Sequence, residues 1–166
     1  MQTQKFSTLR TDIRNELRYL DHLVQQELHE FQRERSDPPT RTEVRAAGSI
    51  AHDFYSAIER IFKRIAVEID GTVAEGAAWH RQLLGQMAAT IPGVRPAVID
   101  QELEDELHEY LRFRHLFRHV YGGELVWERF QELLARLPSV HEKLGQRLDE
   151  FDEFLQALEE ELEHES

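Results

Sequence analysis

The sequence predicts an all-α fold, an antiparallel bundle of about five helices, and two observations carry that expectation. Apolar residues recur at three- and four-residue spacing over long stretches, and no stretch alternates with period two between turn signals, which leaves no place for a sheet. The helical stretches are also parted by short clusters of Pro, Gly and Asp, and helices joined by short loops pack as antiparallel neighbours.

The first helix is read from Ser7 onward through Leu9, Ile13, Leu17, Leu20, Val24, Leu28 and Phe31, and stops before Asp37-Pro38-Pro39. Thr40 with Glu43 forms a capping-box pattern, and Val44, Ala47, Ala51, Phe54, Ile58, Ile61, Phe62, Ile65 and Ile69 carry a second helix to Asp70-Gly71. After the flexible stretch Gly71 to Gly76, a short third segment holds Trp79, Leu83, Leu84 and Met87. Ile91-Pro92-Gly93-Val94-Arg95-Pro96 reads as a loop, and Asp100 caps a fourth helix through Leu103, Leu107, Tyr110, Leu111 and Phe117, ended by Gly122-Gly123. A fifth helix begins near Glu124, meets Pro138 as a kink or a restart, and continues through Leu144, Leu148, Phe151, Leu155, Leu158 and Leu162. Residues 1–166 suit a single domain, with an acidic tail from about residue 159 that is expected to fray.

Charge and composition narrow the function. The chain has 32 Asp and Glu against 20 Lys and Arg, a formal net charge of −12, which disfavours broad adhesion to nucleic acid or an anionic membrane. Any nucleic-acid contact must be focal. Cysteine is absent, which excludes disulfides, thiol catalysis and cysteine-based metal sites. The polar N-terminus has no signal-peptide core and no apolar run is long enough to span a bilayer, so a cytoplasmic location is expected.

Against that acidic background, Arg114-His115-Leu116-Phe117-Arg118-His119-Val120-Tyr121 gathers guanidinium, imidazole and phenol groups in eight residues. No carboxylate lies between Glu109 and Glu124, so Arg112, Arg114 and Arg118 form a local positive island. Arginine presents a planar fork that fits phosphate, and histidine exchanges protons near neutrality, so phosphate chemistry is the natural use of such a set. Arg114 falls on the apolar stripe of the fourth helix, where a guanidinium is costly unless paired. Glu59 or Asp53 on the second helix are candidate carboxylate partners. A plainer reading, left open by these residues alone, has Arg114 snorkelling to solvent and His119 capping the helix end. His108, His115 and His119 share one helical face and offer a metal pair, but Arg112 sets a fixed cation among them, and no metal site or other cofactor is expected.

The spacing R-x4-H-x-Y filled by Arg114, His119 and Tyr121 resembles the motif of the HepT toxins, which belong to the HEPN class of helical domains. Asp53 to Ala66 resembles that family's second helix, and Trp79-His80-Arg81-Gln82-Leu83-Leu84 its short connecting segment. The pattern departs at His115, where the family often has Asn. The resemblance implies a HEPN-like bundle and a metal-independent endoribonuclease toxin, its substrate RNA such as tRNA or mRNA rather than DNA. It also implies a homodimer whose two motifs face one cleft, and control by an MntA-type minimal nucleotidyltransferase that transfers AMP to Tyr121. Arg114 would stabilise charge and His119 would move protons, with His115, Arg118, Glu59 and Asp53 in support. The same bundle would equally serve a non-catalytic substrate-binding or regulatory partner of a nucleotidyltransferase, or a purely structural helical protein.

Overall fold

The computed structural model describes residues 2–119 and 125–165. Among the described residues there are five helices, and the single β feature is an isolated bridge between Ile91 and Arg95. Helix α1 runs Gln2–His22, widens into a π-helical stretch over Leu23–Leu28 and resumes α-helical winding over His29–Glu34. Helix α2 spans Arg41–Ile65 and ends in a second π-helical stretch, Ala66–Asp70; α3 is Trp79–Ala88, α4 is Gln101–His119 and α5 is Trp127–His164.

Local sequence chemistry sets these boundaries. Glu43 N–H donates to Thr40 Oγ1 (3.2 Å) while the Glu43 carboxylate accepts from Thr40 N–H (2.8 Å), so the expected capping box starts α2. Gly71, at φ 71°, closes α2 in a left-handed conformation that a side chain would resist. Asp100 caps α4 by accepting from Leu103 N–H at 2.8 Å. The helix after it is continuous through Pro138, so the proline neither ends nor restarts α5. The expected start of α5 near Glu124 and the terminator Gly122-Gly123 lie outside the described residues.

Ion pairs give the register between neighbours. Asp12–Arg64, Glu16–Arg60 and Lys5–Glu68 tie α1 to α2 with one chain direction reversed, as do Arg10–Asp152 and Asp21–His141 for α1 and α5. Lys143 with Glu102 and Glu106, followed by Arg136 with Glu109, sets α4 against α5 in the same antiparallel sense. Helix α2 touches all four other helices and lies at the centre of the core. Phe54, Ile58, Phe62 and Ile65 are fully buried there, each such side chain contributing about 1.5–3 kcal/mol.

Helix α5 runs to His164, two residues past the expected Leu162, and Glu159 accepts a 2.7 Å hydrogen bond from Arg10 Nη1 on α1. A carboxylate that meets a guanidinium on a neighbouring helix anchors the turn that repulsion among glutamates would loosen.

Candidate functional site

Helix α4 turns two chemically different faces to its surroundings. Leu103, Leu107, Tyr110, Phe113 and Arg114 are buried, while Arg112, His115, Leu116 and His119 are exposed. Arg114 is only 4% exposed, which rules out snorkelling. Its Nη2 donates to both oxygens of Glu59 on α2, at 3.1 and 3.0 Å, its Nη1 donates to Ser56 Oγ at 3.4 Å, and the guanidinium lies 4.9 Å from the ring centre of Tyr55. Burial first, and then the Glu59 carboxylate, push the Tyr55 phenol well above its ordinary value, with Arg114 opposing them. This phenol stays protonated and serves as a wall.

A third group completes the cluster. His80, at the start of α3, places Nδ1 2.7 Å from Glu59 Oε2 and 2.9 Å from Arg114 Nη2. An ionised carboxylate at 2.7 Å requires a hydrogen between the two atoms, so Nδ1 carries the proton and donates to Glu59. Arg114 Nη2 is a donor to the same carboxylate and so lies beside that N–H without bonding to it. The His80 ring rests on Trp79 with centroids 3.7 Å apart, and Lys63 Nζ sits 5.4 Å from the Trp79 ring centre.

Above this buried cluster lies a groove of about 1120 Å³ between α3 and α4. His80 and Arg81 line it from α3, and His108, Arg112, His115 and His119 from α4. Asp105 and Glu109 line its other end, so the groove is acidic toward the start of α4 and cationic toward its finish. His119 Nδ1 lies 2.7 Å from the His115 carbonyl oxygen and therefore donates to it, which directs Nε2 away from the helix; the two imidazoles are 4.4 Å apart. His119 stands in the last turn of α4 together with Arg118, and His115 lies one turn before it.

The residues expected to matter separate into three groups. Glu59 and Arg114 meet directly beneath the groove, while His115 and His119 line it. Arg118 is exposed but does not line the groove. Asp53 is not at this site: its carboxylate is 42% exposed, faces His52 Nδ1 at 3.1 Å and borders a different groove with Glu27, Glu30 and Glu43, so it is not the partner of Arg114. Asp53 and Glu59 are six positions apart, which turns them to different sides of α2, whereas Tyr55 and Glu59, four apart, share a side. Tyr121 lies outside the described residues. Among the described residues no three His, Asp or Glu side chains are grouped to hold a metal ion.

His80 and Arg81 were missed as site residues. Both sit far along the chain from α4, and one sequence does not show which distant side chains meet. The nearest available signal is the Trp-His pair at the start of a short helix, an imidazole beside a ring that fixes it.

Comparison with curated proteins and with solved structures returned no match. A family model described as HepT-like protein matches residues 46–155, a span that takes in Glu59, His80, Arg114, His115 and His119. The chain therefore belongs to the HepT-like family, a toxin family of the HEPN type.

Proposed function

We propose that this protein is a metal-independent endoribonuclease toxin of a toxin–antitoxin pair, acting in the cytoplasm on RNA and inactivated by AMP transfer to Tyr121 from a cognate minimal nucleotidyltransferase. The observation that carries this reading is the groove itself, in which His115 and His119 stand beside Arg81 and Arg112 in a protein that is otherwise strongly acidic. RNA cleavage needs a base for the ribose 2′-OH, an acid for the leaving oxygen, and positive charge against the phosphorane-like transition state. His119 Nε2 is directed outward for proton transfer, and Arg81 and Arg112 are the cations that meet phosphate.

Arg114 acts from below. With its charge turned onto Glu59, it holds the floor of the groove and contributes to the local field instead of clamping phosphate from the surface. A homodimer joined across this face would double the cationic field and cover Leu116, which is 53% exposed. AMP on Tyr121, two residues beyond His119, would add bulk and negative charge where phosphate has to approach.

High-level expression tests the reading. The wild-type chain should arrest growth, His119→Ala should be tolerated, and co-expression of the nucleotidyltransferase should relieve the arrest only while Tyr121 is present. Equal toxicity of the wild type and His119→Ala would remove the proposed site.

A further inference from the structure

We infer that His80 is the general base of the groove and that His119 is its acid, so that both proton-transfer groups come from one chain. This rests on the ribonuclease reading above. Three observations carry it: His80 lines the same groove as His119, its Nδ1 is bound 2.7 Å from the buried Glu59 carboxylate, and its ring is stacked on Trp79. With Nδ1–H committed to Glu59, the lone pair of His80 belongs to Nε2, and the carboxylate offsets the charge that develops when Nε2 takes a proton. Arg114 holds that carboxylate in place with hydrogen bonds to both of its oxygens. The charged and titratable groups around His80 are Glu59 and Arg114 beneath it, Arg81 on its own helix, and Asp105, His108, Glu109, Arg112, His115 and His119 along the groove on α4.

His119 differs in the way the opposite role requires. Its Nδ1–H donates to the His115 carbonyl and not to a carboxylate, and its Nε2 is the ring atom directed away from the helix, on a side chain that lines the groove. In the step, the ribose 2′-OH proton moves to His80 Nε2 and the 2′ oxygen forms a bond to the adjacent phosphorus. The bond from phosphorus to the 5′ oxygen breaks, and His119 gives its proton to that oxygen. The products are a 2′,3′-cyclic phosphate and a free 5′-hydroxyl, with solvent returning both imidazoles to their starting states.

The test is the pH–rate profile of cleavage of an end-labelled single-stranded oligoribonucleotide in the presence of chelator. His80→Asn should lower kcat by at least about 100-fold, leave KM within about threefold, and abolish the rise of rate with pH on the acidic side. His119→Ala should abolish the fall on the alkaline side. Because a change at His80 also disturbs the packing on Trp79, His80→Ala is assayed with added imidazole, which should restore activity; a role in packing alone would not respond. A wild type that cuts, a dead His119→Ala, and a His80→Asn enzyme with kcat within threefold and both limbs intact would overturn this inference alone. A wild type that does not cut, or a fully active His119→Ala, would overturn the ribonuclease reading and this inference with it.

Discussion

Arg114 and His119 lie five residues apart on one helix, yet mutating them asks different questions. Arg114 and Glu59 form a buried pair with side chains 5% and 10% exposed, and removing one member leaves the other charge without compensation. Arg114→Ala should therefore lower folding stability by about 3–5 kcal/mol in urea unfolding, so that lost activity in this variant mixes chemistry with structure. His119 is exposed, and His119→Ala should stay within about 0.5 kcal/mol of the wild type in the same measurement. A stability loss as large as that of Arg114→Ala would mean that His119 is structural. The need for a partner to Arg114 was legible in the sequence, because a guanidinium on an apolar stripe has few other solutions. The choice of Glu59 over Asp53 was partly legible, in the phase of α2. The contribution of His80 was not, since it depends on contacts that span 21 and 34 positions of the chain.

Between helices, close approach and charge do the positioning. Gly48 on α2 lies under the end of α4, where an added Cβ would come within 2.8 Å of the Phe117 ring and 2.9 Å of Leu125 Cδ1. Gly48→Ala gains about 1 kcal/mol of helix propensity but overpacks this contact by about 1–3 kcal/mol. The expected outcome is a lower melting temperature together with weaker cleavage, since Phe117 sits between Arg114 and His119 on α4. At the other side of the bundle, the hydrogen bond from Arg10 to Asp152 is the main cause holding the Asp152 carboxyl below its ordinary 3.8, with Arg14 adding to it. A carboxylate with a depressed folded value stabilises the fold above its unfolded value and loses that contribution as pH falls through the folded one. Stability should therefore decline below about pH 4, and less steeply in Asp152→Asn; identical acid unfolding curves would show that this α1–α5 clamp contributes nothing. Helix existence, order and caps were legible because periodicity and capping chemistry are local. The π-helical stretches left a fainter trace, apolar triplets at spacing four such as Leu20-Val24-Leu28 and Ile61-Ile65-Ile69, which a plain α-helix also tolerates. The contact of Glu159 with Arg10 was hidden because the two lie 149 positions apart.

For the whole molecule, the unequal charge distribution sets where an anion can approach. A chain of net charge −12 should repel RNA over most of its surface, and in the proposed dimer the cationic end of the groove, present twice, would be the place where a phosphate backbone settles. Under the proposed regulation, one phosphate group added two positions beyond His119 in the sequence would offset much of a local positive charge carried by few residues. Intact mass of the chain expressed with the nucleotidyltransferase should show gain of whole adenylate units mapping to Tyr121, and a Tyr121→Phe chain should show none. Labelling elsewhere would separate the regulation from the α4 groove. Most direct is cleavage of RNA in chelator by purified wild-type and His119→Ala proteins matched for unfolding midpoint. The wild type should cut and His119→Ala should fall by at least about 100-fold, whereas equal cleavage by both would place the chemistry away from this groove.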